Sequence, residues 1–265
     1  MRVDLREHLG KITTFLILAG FLFYLRIEFL LRNTTQAGIK VSVLDVFDAS
    51  FGKYVMTLVL TPFFVFILLN ILSFYNNGNF VIKYKSRTSL WNSIFSRVLC
   101  YSTMFVFSLV VFNLILGMIR IDQFTAWKEK EGILYQVALS LSKTNPELRS
   151  IETWGNNVPY YNPILIVSLY SLFAILGFAV ITLITYIVIL LTKKKIIGYI
   201  VMLLLITIDT YGKVSIVFNQ IIISYKDILF LRPLFWDLIY LVSLLVFLYF
   251  IGETVIKKID FRPSK

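Results

Sequence analysis

The sequence predicts an all-α integral membrane protein: six transmembrane helices, both termini cytoplasmic, and a short amphipathic helix on the cytoplasmic side between spans two and three. Three observations lead there. The chain is 58% hydrophobic and 16% aromatic, with a mean hydropathy of +0.81, far more apolar than a soluble domain of 265 residues. The apolar residues gather into six runs, each near the roughly 20 residues that carry a helix across about 30 Å of hydrocarbon, and none has the alternation of a barrel strand. The charges between the runs are also shared unevenly.

The runs cover 12–31, 54–75, 98–119, 162–191, 196–217 and 234–251, within a single transmembrane domain, 1–265. The first follows Arg2, Arg6 and Lys11 as a signal peptide would. It is too long for one, and no small-residue cleavage site follows, so it is expected to stay as a helix. Ahead of it, Val3, Leu5 and Leu9 offer one or two turns of an interface helix. The second run contains TPFFVF, 61–66. Pro62 frees a carbonyl there, and Phe63, Phe64 and Phe66 either line a substrate path or pack the bundle. At the start of the third stands Cys100, the only cysteine, which excludes an intrachain disulfide and reads as a small apolar residue.

Residues 120–161 are the one sizeable segment outside the spans. Phe124, Trp127, Ile133, Leu134, Val137 and Leu141 recur there at helical spacing and predict an outer amphipathic helix, while Trp154, Tyr160 and Tyr161 suit the headgroup belt. The fourth run exceeds one perpendicular crossing, so it must tilt, bend or extend, and Gly177 permits a bend or a close helix crossing. Near the outer end of the fifth, Asp209 marks either a substrate path or a helix break, with 213–233 folding back as an outer hairpin.

Orientation follows from the basic residues. The amino terminus, the 76–97 link, the 192–195 turn and the tail together hold fourteen basic and four acidic residues, against eleven basic and eight acidic in 32–53, 120–161, 218–233 and Lys213. The first set is therefore expected in the cytoplasm. Charges inside the apolar runs are costly unless paired or close to water. Arg26 is expected either to pair with Asp237 across the outer half of the membrane or to serve, like Asp237, as an interfacial anchor.

Several activities find no residues to carry them. No phosphate-binding GxxxxGK[ST] loop occurs, so energy from nucleotide must come through a partner chain. His8 is the only histidine, which removes HExxH zinc chemistry and a Ser-His-Asp triad within the membrane. Asp209 and Asp237 leave an intramembrane aspartyl protease as the only enzyme reading, and the chain is expected to be non-catalytic.

The link NFVIKYKSRTSLWNSIFSRVL, 79–99, carries Lys83, Lys85, Arg87 and Arg97 without an acidic residue. From about Ser86 onward, Leu90, Trp91, Ile94 and Phe95 fall on one helix face, with Ser86, Thr88 or Ser89 available as a cap. Such a segment either lies on anionic lipid or is gripped by a soluble partner.

Six spans, cytoplasmic ends and this KYKSRTSLWNSIFSRVL link resemble the permease subunit of a type-2 ABC exporter, of the small kind found beside peptide, bacteriocin or toxin genes in Gram-positive bacteria. The resemblance implies that the link is a coupling helix seated in a separate ATPase, with Lys85, Arg87, Ser89 and Trp91 at or near the contact; Trp91 and its neighbours Leu90, Ile94 and Phe95 then either fill a pocket on the ATPase or pack the helix against the spans above it. It further implies two ATPase subunits carrying ATP and Mg, a second permease chain completing a homo- or heterodimer, and export of a hydrophobic or amphipathic substrate across a bacterial cell membrane. Membrane lipids are expected partners and nucleic acid is not; no cofactor is expected in this chain. Phe63, Phe64, Phe66 and Asp209 are the candidate substrate path. The rival reading is a stand-alone immunity or scaffold protein without transport activity.

Overall fold

Long runs of Leu, Ile, Val and Phe leave the backbone one way to satisfy its own polar groups in an apolar medium, the α-helix. The computed structural model describes residues 17, 20–34, 36–72, 84–127, 129–142, 162–211, 216–223, 227–228 and 231–259. Regular structure among them is helical apart from one isolated bridge, Lys40 to Gly132. The helices are α1 (20–34), α2 (Val43–Ser50), α3 (Thr61–Leu72), α4 (Arg87–Arg120), α5 (Ile133–Ser142), α6 (Pro163–Thr192), α7 (Lys195–Tyr211), α8 (Phe218–Ile221) and α9 (Leu231–Lys258).

Four helical stretches are long and apolar enough to cross a membrane: Val55–Leu72, Arg87–Arg120, Pro163–Thr192 and Leu234–Lys258. The chain is therefore a membrane protein. Of the other two expected spans, 12–31 is helical at its described residues, and 196–217 is helical to Tyr211 but not at Ile216 and Val217. α7 has 17 residues, about 26 Å at 1.5 Å per residue, just under the hydrocarbon thickness.

α6 is the hub, with α3, α4, α7 and α9 packed around it. Phe64 and Phe178, buried, and Phe105, partly buried, form a triangle joining α3, α6 and α4, with ring centroids 4.8, 5.0 and 5.3 Å apart. Gly177 lies next to Phe178 because α8 presses in: a Cβ there would overlap the Ile221 side chain. The close crossing expected of Gly177 is thus made with a four-residue helix. Before α3 the chain makes a π-helical segment, Val55–Leu60. Pro62 lacks the donor that would continue an α pattern, and the Thr61 N–H and Oγ1 both turn to the Met56 carbonyl instead.

Two expectations change. The short coupling helix is not a separate element: α4 starts at Arg87 and runs unbroken for 34 residues, about 51 Å, so its first turns extend beyond any span. The outer amphipathic helix is only Ile133–Ser142. Residues 121–127 are not helical and pass beside α2, where the Gln123 and Phe124 carbonyls accept from the Val43 and Leu44 amides. Within the connection 32–53, α2 is buried at Val43–Phe47, Ala49 and Ser50.

Candidate functional site at the basic end of the bundle

The start of α4, the end of α6 and the end of α9 meet at one end of the bundle, which carries Lys85, Arg87, Lys193, Lys194, Lys195, Lys257 and Lys258. Ser86 caps α4, its Oγ accepting from the Ser89 amide at 3.0 Å. From there two stripes zip together in antiparallel sense. Arg87 donates to the Lys257 carbonyl (2.5 Å), closing a terminal acceptor of α9. Thr88 donates to Glu253 (3.4 Å), the Trp91 indole to the Tyr249 carbonyl (2.9 Å), and the Tyr249 hydroxyl to Asn92 (2.6 Å). Phe95 meets the Tyr249 ring edge-on at 5.0 Å. The Trp91 ring fills the notch left by Gly252, where a Cβ would overlap it.

The amphipathic face read from the sequence exists, but it faces inward. Leu90, Trp91 and Ile94 are each 0% exposed and Phe95 is partly buried, whereas Lys85, Arg87 and Ser89 are exposed. What this end offers to another molecule is the polar edge of the segment, backed by an aromatic anchor inside the chain. Glu253 is shared between Thr88 and Lys257, the latter at 2.6 Å. Beside the junction, a cleft of about 510 Å3 opens between the last turn of α6 and the end of α9.

The candidate substrate-path residues are scattered. Phe64 is 4% exposed within its ring triangle, while Phe66 is 51% exposed on the outside, with Tyr199 at 5.7 Å; Phe63 is partly buried against the core. Asp209 is 1% exposed and is spent on the backbone: the Ile216, Val217 and Phe218 amides all donate to it at 2.6 Å. α7 ends at Tyr211. The helix thus ends two residues past Asp209, whose carboxylate is taken up by these three amides. Of the 213–233 hairpin, 216–223, 227–228 and 231–233 are described, the last as the first turn of α9; Lys213 lies outside the described residues, as do Lys83, Trp154, Tyr160, Tyr161 and the stretch with Val3, Leu5 and Leu9.

The Arg26–Asp237 pair does not form. Arg26 is exposed and lies 5.7 Å from the Phe29 ring centroid, and the charged neighbour that Asp237 feels is another carboxylate, Asp227. The ion pair made by this part of α1 joins Glu28 to Arg120. Sequence reasoning also missed a carboxylate cluster at the end opposite the lysines. Asp45 accepts from the Ser42 amide and hydroxyl (2.7 and 2.6 Å) and from the Trp127 indole (2.9 Å). One turn on, Asp48 accepts from the Tyr170 hydroxyl at 3.0 Å. Burial pushes the Asp48 carboxyl up to about 7; the Tyr170 hydrogen bond and Arg26 oppose this, and Asp45 and Asp227 add to it.

Comparison with protein-family models, with curated proteins and with solved structures returned no match to the chain.

Proposed function

We propose that this chain is the permease subunit of an ATP-driven ABC transporter, exporting a hydrophobic or amphipathic substrate such as a peptide. In this reading the chain crosses the membrane six times with its termini and basic end in the cytoplasm, pairs with a second permease chain, and takes its energy from two ATPase subunits that bind ATP and Mg. The observation that carries the reading is the Trp91 junction. It makes the basic start of α4 rigid with the end of α9, so a push on Lys85, Arg87 and Ser89 is a push on two long helices at once. A loop resting on lipid would need no such bracing. Phe235, Trp236, Phe247 and Phe250 each leave at least 59% of their surface uncovered along α9, which suits a second permease chain or lipid.

A stand-alone membrane protein is the second reading, favoured by the fact that Leu90, Trp91 and Ile94 are already consumed inside the chain. Purification of the tagged chain from its native membranes separates the two. An ABC ATPase should co-elute in equal amount and hydrolyse ATP. Elution of the chain alone, with no ATP hydrolysis, overturns the permease assignment.

A further inference from the structure

The cleft at the basic end is built from two chemically distinct parts. Leu190, Leu191, Val255 and Ile259 give it an apolar wall, and Lys193 and Lys258 stand on its rim. Leu191 is 61% exposed, so the wall continues onto the outer surface of the bundle. Thr254 also lines it, but its hydroxyl is already donated to the Phe250 carbonyl at 2.9 Å, which leaves the two ammonium groups as the donors available to an incoming anion.

Lys193 closes α6 in the left-handed region, its N–H donating to the Ile189 carbonyl at 2.8 Å in the short turn before α7. It is the C-cap of α6 at φ 57, ψ 13 and, among the described residues, the only non-glycine with positive φ. That position ordinarily falls to glycine or asparagine, because a Cβ is penalised in the left-handed region. A lysine kept there carries its charge at a local cost, and strain of this kind points to a use for the side chain. No ion pair holds Lys193 or Lys258 among the described residues, although the adjacent Lys257 is bound by Glu253.

Both lysines end long apolar helices, Pro163–Thr192 and Leu234–Lys258. They therefore stand where hydrocarbon gives way to headgroups, at the level of lipid phosphate.

We propose that this cleft binds the headgroup of an anionic phospholipid, with the phosphodiester between Lys193 and Lys258 and an acyl chain against Leu191 and Val255. A zwitterionic lipid would bring its own cation against two uncompensated lysines. A soluble anion would leave the apolar wall bare. The site does not depend on the transporter reading, since it needs only a helix bundle in a membrane.

Native mass spectrometry of the full chain in detergent, with phosphatidylglycerol or phosphatidylcholine added, tests it. Wild-type protein should retain phosphatidylglycerol preferentially, and Lys193→Gln and Lys258→Gln should each reduce that retention about fivefold. The control Lys194→Gln/Lys195→Gln should leave it unchanged. Lys193→Gly guards against misfolding: relieved of the left-handed strain, it should melt at least as high as wild type and still lose the lipid. Undiminished discrimination in Lys193→Gln/Lys258→Gln, or in Lys193→Gly, overturns the site. So does inorganic phosphate that displaces phosphatidylglycerol at equal concentration, which would mark a free-anion site instead.

Discussion

The indole of Trp91 occupies the space that any side chain at position 252 would need, and its N–H reaches the carbonyl of Tyr249 at 2.9 Å on the same helix. A large residue on α4 and an absent one on α9 thus form a single joint, 161 residues apart in sequence. Trp91→Ala should empty the notch and cost about 3–5 kcal/mol. Gly252→Ala should cost about 1–3 kcal/mol by overpacking. Combined, the two should be less damaging than their sum, because the added methyl enters the vacated space. Strict additivity in thermal or denaturant unfolding would deny the joint.

Asp209 offers a test between a structural and a transport role. Three backbone amides converge on its carboxylate, so Asp209→Ala strands buried donors and should cost about 3–5 kcal/mol, with Asp209→Asn intermediate. Any Asp209→Asn protein that folds should move substrate as wild type does. Normal melting with altered substrate selectivity would return Asp209 to the substrate path.

Asp48 makes stability pH-dependent in the less familiar direction. Its folded-state value is about 7 against 3.8 for an ordinary aspartate, so between those values the folded chain holds a proton that the unfolded chain has lost. Stability should therefore fall as pH rises from about 4 to about 7, by on the order of 2–4 kcal/mol, and then level off. Asp48→Asn mimics the protonated form and should flatten this slope, with Arg26, Asp45, Asp227 and Tyr170 left in place. An unchanged slope in Asp48→Asn would assign the pH dependence to another group.

The orientation can be read by chemical labelling in a Cys100→Ala background. Ser89 is exposed at the basic end and Ser140 is exposed on α5 at the other. With an impermeant thiol reagent applied to intact cells, Ser140→Cys should react and Ser89→Cys should not. The reverse pattern would invert the topology.

Much of this molecule was legible locally. Leu90, Trp91, Ile94 and Phe95 declare a helix face through their spacing alone, and a carboxylate in an apolar run, as at Asp209, announces that something must satisfy it. What those groups meet was not legible, because Gly252 and Tyr249 lie on a helix whose rotation about its axis no local pattern encodes. The same gap defeated the Arg26–Asp237 pair: complementary charge was visible, but the side of α1 on which Arg26 sits was not. α2 did leave a signal. Ser42 followed by Asp45 ahead of an apolar stretch is a helix start, obscured because eight residues are too few for a span.

The coupling proposal separates binding from transmission, and the two can be broken independently. Lys85 and Ser89 are exposed and, apart from the Ser89 backbone amide, take no part in the joint. Lys85→Ala/Ser89→Ala should therefore weaken capture of the ATPase while leaving the stability within about 0.5 kcal/mol of wild type. Arg87→Lys keeps the charge but not the geometry of the bond to the Lys257 carbonyl, and should loosen the end of α9 by about 1 kcal/mol. Trp91→Ala should do the opposite of the surface pair. Its exposed edge is intact, so the ATPase should still bind and hydrolyse ATP at its basal rate, but substrate should no longer stimulate that rate, because α4 and α9 no longer move together. The measurement is ATP hydrolysis by purified complexes with and without substrate, alongside ATPase pull-down. Full stimulated turnover in Trp91→Ala together with full binding in the Lys85/Ser89 variant would leave the basic end with no part in coupling.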